Sequence, residues 1–196
     1  MVQTLSRPLP SLTRSIVTGA VGFSLVSLCV FATVAFGERW MYRTLGVPGA
    51  FIAWAVLFVL LGGGVFGPLV VIRWRLPKFY LLFAVAFLAY AAGWMLAYFS
   101  LGRTMGEWLG SLLGSVLMAV VFAAGFGSLR SIAKLSALLF VTNAVGYFLG
   151  ALLYDSLSRP LGMLLWGVVY GLFFGAGIGA ALQLVQQDEL GRVSNV

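Results

Sequence analysis

Among the few polar side chains within otherwise apolar stretches, four are candidates to line a solute path: Asn143, its neighbour Thr142, Tyr90 and Ser115. An unpaired amide in hydrocarbon is costly, so Asn143 must face another helix or a hydrated path. Three arginines, Arg43, Arg103 and Arg159, form a second candidate group, a basic vestibule that would gather an anionic or polar solute. Catalysis has far less to work with. The chain has no histidine and one cysteine, Cys29, which rules out imidazole ligation, an intramolecular disulfide and a paired-thiol redox centre. The twelve basic and five acidic residues all fall outside six apolar stretches. Proton-coupled carriers and intramembrane hydrolases place ionisable groups inside the bilayer, and this chain offers none there. The expectation is a protein that is not an enzyme, with no cofactor and no metal.

The elements that must position these residues are membrane helices. The chain has 196 residues, 62% hydrophobic and 9% charged, far from the usual balance of a soluble domain. A membrane-spanning helix needs about 20 apolar residues. Segments 15–36, 49–72, 79–100, 108–127, 135–154 and 161–185 supply that length. The expected fold is an all-α integral membrane protein of six transmembrane helices over 15–185. A flexible lead-in, 1–14, precedes it and a short polar tail, 186–196, follows.

The net charge of +7 reads as orientation rather than as nucleic-acid binding. Counted by alternate loops, Arg7, Arg14, Arg73, Arg75, Lys78, Arg130, Lys134 and Arg192 share one side, against Arg39, Arg43, Arg103 and Arg159 on the other. Both termini are therefore expected in the cytoplasm, across a plasma membrane. The expected partners are the lipid bilayer and either other membrane subunits or further copies of the chain.

Glycine gives the clearest spacing. Gly167, Gly171, Gly175 and Gly179 recur every four residues and share one helix face, and Gly106, Gly110 and Gly114, Gly146 and Gly150, and Ala89, Gly93 and Ala97 repeat the pattern. Such faces admit a neighbouring backbone, as in glycine-zipper packing. Gly62-Gly63-Gly64 followed by Pro68 predicts a kink.

Three strings, Met41–Gly46, Leu101–Gly106 and Leu157–Gly162, all read x-x-Arg-[Thr/Pro]-[Leu/Met]-Gly. They suggest three helical hairpins in parallel orientation, an internal repeat. The spacing of Arg103 and Glu107, and of Asp155 and Arg159, predicts ion pairs within single helices.

Two functions fit these residues. One is a small-solute permease, or the membrane subunit of a transporter, with Asn143, Thr142, Tyr90 and Ser115 along its path. The other is a non-catalytic scaffold in a larger membrane complex, docking through its glycine faces.

Overall fold

The computed structural model describes residues 8–71 and 76–194, without the side chains of Arg103 and of 192–194. The described residues are helical and contain no strand: α1 Leu12–Phe66, α2 Leu76–Leu101, α3 Arg103–Gly125, α4 Ile132–Ser156 and α5 Arg159–Ser194, with short 3-10 turns at Gly67–Leu69 and Leu129–Ser131. Five helices are long and apolar enough to cross a membrane, so this is an all-α membrane protein.

The first two expected spans form one helical element of 55 residues. Drawn straight it would be roughly 80 Å long, far more than a hydrocarbon core of about 30 Å. It folds back instead. The rings of Phe23 and Phe66 lie 5.6 Å apart, whereas an unbroken helix would hold them about 65 Å apart. The reversal is at Gly46, with φ 67° and ψ 171°, a conformation that a β-carbon disfavours. Pro48 follows two residues later, in the first turn of the second leg, where its missing N–H costs no helical bond.

Residues 37–43, the connection between the first two expected spans, continue the first leg as helix to the turn. Of the sequence expected to kink, the glycines 62–64 stay helical, and a β-carbon at Gly62 would lie 2.9 Å from the ring of Phe83. The α-helix breaks at Pro68, which sits in the 3-10 turn that ends the second leg.

Six helical legs close into a ring. The first leg of α1 packs against α5, α5 against α4, α4 against α3 and α3 against α2. Between α2 and the second leg, Phe58 meets Phe87 at 5.2 Å and Phe66 meets Phe83 at 5.5 Å. The ring's interior holds Phe23, Phe66, Phe83, Phe122 and Phe174, each fully buried. Its outward surface is apolar as well, with Val21, Leu25, Leu81, Leu88, Leu96 and Leu152 exposed. The interior also takes aliphatic side chains such as Leu135, Leu139, Ile178 and Leu182, while the exposed aliphatic side chains on the outer surface suit contact with lipid. Cys29 is exposed on this surface.

Consecutive legs are joined at one end of the ring by Gly46, Gly102 and the 157–158 connection; both described chain ends lie at the other. Gly102, with φ 78° and ψ −179°, has almost the conformation of Gly46. Matching the chain on these turns shifts the expected repeat. Arg43 lies three residues before its turn glycine, whereas Arg103 and Arg159 open the helices that follow theirs. The three arginines are therefore not equivalent positions.

α5 continues as helix into the expected polar tail, as far as Ser194. Likewise α1 begins inside the expected lead-in, at Leu12, with the Ser11 hydroxyl accepting a bond from the Arg14 backbone N–H.

Candidate functional site

Asn143 lies on α4 at the middle of the ring and is fully buried. Its Oδ1 accepts a hydrogen bond of 2.8 Å from the Tyr90 hydroxyl of α2. Tyr90 in turn accepts one of 3.3 Å from the Tyr170 hydroxyl of α5. A relay therefore runs from α5 through α2 to α4, each hydroxyl proton directed toward the amide oxygen. No partner reaches the amide nitrogen Nδ2 among the described residues, so two donors remain buried and unused.

Each member of the relay is held by a close helix approach. On α3, Gly114 faces Tyr90, and a β-carbon there would lie 2.8 Å from the Tyr90 carbonyl oxygen. On α4, a β-carbon at Gly146 would lie 3.1 Å from the Tyr170 carbonyl oxygen. Phe174 packs against both tyrosines, with ring centroids 5.0 Å from Tyr90 and 5.5 Å from Tyr170. The absence of side chains at 114 and 146 is what lets three helices bring their polar tips to one point.

Of the four expected path residues, Asn143 and Tyr90 meet directly. Thr142 is turned away: its hydroxyl donates to the Leu138 carbonyl oxygen of its own helix at 2.9 Å, and Gly177 of α5 packs against it. Ser115 is fully buried beside Gly114, with its hydroxyl unpaired, as is that of Ser111 one turn earlier. Tyr170 is the participant that residue type and spacing did not single out. It sits between Gly167 and Gly171 in the glycine series, and that position is the one signal that it shares the inward face.

Toward the Gly46 and Gly102 turns, half-buried aromatics continue from the relay. Trp94 stacks on Tyr98 at 4.8 Å, and Tyr147 lies 5.9 Å from Trp94 and 5.5 Å from Trp166. The indole N–H groups of Trp94 and Trp166 are buried without partners among the described residues. Toward the opposite end the interior is closed, since Phe66, Phe79, Phe122, Ile178 and Leu182 are at most 1% exposed. An open apolar groove of about 490 Å³ lies between α2 and α3, lined by Leu96, Ser100, Leu109, Leu112, Leu113 and Val116. It includes none of the expected path residues.

Of the three expected vestibule arginines, the structure describes the side chains of Arg43 and Arg159. Arg159 pairs with Glu38 of the first leg of α1, joining helices rather than bridging within one as its spacing from Asp155 predicts. Arg43 is exposed, and the side chain of Arg103 lies outside the described residues. The Arg159–Glu38 pair is itself largely solvent-exposed, with side chains 56% and 25% accessible. Glu38→Gln should therefore lower stability by no more than about 1 kcal/mol. A drop of many degrees in the melting temperature in detergent would contradict this.

The expected packing glycines lie at helix contacts. Along α5, a β-carbon at Gly167 would meet the Phe31 Cβ at 2.8 Å and one at Gly171 the Ser24 Cα at 2.5 Å. Gly175 faces Gly19, and Gly179 faces Ser15. Ser24 adds a hydrogen bond of 2.8 Å to the Val168 carbonyl oxygen. On α3, a β-carbon at Gly110 would lie 2.9 Å from the Trp94 carbonyl oxygen of α2, and Gly150 of α4 faces the Trp166 ring.

No protein-family model, curated protein or solved structure matches this chain.

Proposed function

We propose that the chain is a small-solute permease, or the membrane subunit of a transporter, crossing a cytoplasmic membrane six times with both termini inside. The observation that carries this reading is the buried Asn143 amide, whose Nδ2 has no partner although two tyrosine hydroxyls converge beside it. A solute offering a carbonyl, ether or hydroxyl oxygen would accept from that nitrogen and relieve its burial without a charge. The half-buried Trp and Tyr rings toward the Gly102 end supply the approach to it.

Six crossings fit the fold-back at Gly46, because each resulting leg has the length that one crossing needs. The termini and the turns bearing most of the basic residues share one end, which the positive-inside rule assigns to the cytoplasm. Three outer-joined leg pairs would then be three hairpins in one orientation. With no acidic or basic side chain within the six apolar stretches of the sequence, movement would follow the solute's own gradient or be driven by a partner subunit.

A scaffold is the second reading. It is favoured by the tight aromatic packing around Tyr90 and Tyr170 and would use the outward surface for docking.

Reconstitution separates the two. Purified protein in liposomes should accelerate swelling in glycerol or urea relative to protein-free vesicles. If a panel of small neutral solutes is not moved, and the native protein always co-purifies with a larger complex, the permease reading fails.

A further inference from the structure

We propose that the terminal turns of α5 form a releasable clasp that holds the ring shut at the end bearing the chain termini. This rests on the carrier reading and adds to it which end gates. Gln186 is 1% exposed and bonded three times. Its Nε2 donates to the Leu69 carbonyl oxygen at 3.1 Å and to that of Leu182 at 3.0 Å, while its Oε1 accepts from the Val71 backbone N–H at 2.8 Å. One amide thereby satisfies both the last carbonyl and the first free N–H of the chain leaving the 3-10 turn after α1. Two residues on, Asp188 accepts from the hydroxyls of Ser128, at 2.8 Å, and Ser131, in the turn between α3 and α4. Two neighbouring side chains of α5 thus hold the turn that follows the first leg pair and the turn that follows the second.

The position of these bonds favours a gate over a simple cap. Immediately inside them lies the tightest part of the interior, with Phe66, Phe79, Leu182 and Val185 at most 1% exposed. The opposite end has the exposed Arg159–Glu38 pair and half-buried rings instead. Asp188 is itself exposed. Its bonds, unlike those of a buried core, can be exchanged for water when α5 swings. Carriers built from helical repeats expose their central site alternately by rocking one unit against the rest. Here that movement must separate α5 from the two turns it grips, and the Gln186 and Asp188 bonds are the ones that break.

The test needs no solute. In a Cys29→Ser background, Ala123→Cys places a reporter on α3, where Ala123 is fully buried in the closed half. Its reaction with a membrane-impermeant methanethiosulfonate is followed in inside-out and right-side-out vesicles. Gln186→Leu combined with Asp188→Asn should raise labelling from the inner face at least tenfold and leave labelling from the outer face unchanged. Glu38→Gln, which breaks the pair at the other end, should change neither. Should the double variant fail to fold, Ser128→Ala with Ser131→Ala keeps the buried amide and should still raise inner labelling several-fold. Unchanged labelling in folded clasp variants overturns the proposal, as does equally fast inner labelling of the intact clasp. Raised labelling with no solute flux would instead sink the carrier reading and leave the clasp standing.

Discussion

Gly171→Leu should yield no folded protein, seen as loss of the monodisperse species in detergent and of its cooperative melting transition. A β-carbon at 171 would lie 2.5 Å from the Ser24 Cα and 2.6 Å from the Phe23 carbonyl oxygen. Both are backbone atoms, so no change of rotamer relieves the clash. The first leg of α1 and α5 would have to separate, stretching the Ser24 bond to Val168 and opening the contacts at Gly167 and Gly175. Overpacking a core costs about 1–3 kcal/mol where side chains can adjust. Here a whole seam must move, against a total stability of roughly 5–15 kcal/mol. Gly37→Leu is the matched control, because no heavy atom lies within 4 Å of its β-carbon position. It should fold as the parent does. A Gly171→Leu protein that melts with the parent would refute the packing at this seam.

Asn143→Leu should have the opposite profile, with folded protein recovered and solute flux reduced roughly 10- to 100-fold. Leucine matches asparagine in heavy-atom count and branching and ends the amide's contribution at the centre of the ring. The Tyr90 hydroxyl is left without its acceptor, at a cost of about 1–3 kcal/mol, which a stable bundle tolerates. A similar loss in solute stabilisation gives the flux change, at tenfold for about 1.4 kcal/mol. Thr142→Val tests whether the effect belongs to the amide. That hydroxyl is bonded within its own helix, so its removal should leave flux close to the parent value. Parental flux in a folded Asn143→Leu protein would remove the site.

Much of this architecture is legible in residue type alone. The exclusion of charge from long apolar stretches leads to helices, and four-residue glycine spacing marks faces that approach a neighbour's backbone at Gly171 and Gly114. Asn143 stands out because a buried amide demands a partner. What escapes the sequence depends on three-dimensional pairing. Trp40 and Tyr42 suit an interfacial loop as well as a helix, so the continuation of α1 through them is decided by the turn at Gly46. Arg159 has an acid at helical spacing in Asp155, yet the closure of the ring brings it Glu38 instead. Tyr170 has no distinguishing neighbours other than glycines, and its role depends on Tyr90 arriving from another helix. Gln186 and Asp188 read as a frayed end because nothing local shows that two distant turns lie within their reach.

The closure of the ring also sets an order of events during synthesis. The first leg of α1 has its glycine and serine face matched by α5, which leaves the ribosome well after it. Ser15, Ser24 and Ser27 must therefore wait in the membrane, unpartnered, while roughly 130 further residues are made at about 5–20 per second. For those several seconds the nascent chain is an open arc with two sticky edges. Its hazard in the cell is premature union with a neighbouring arc, and the interval ends only when α5 arrives.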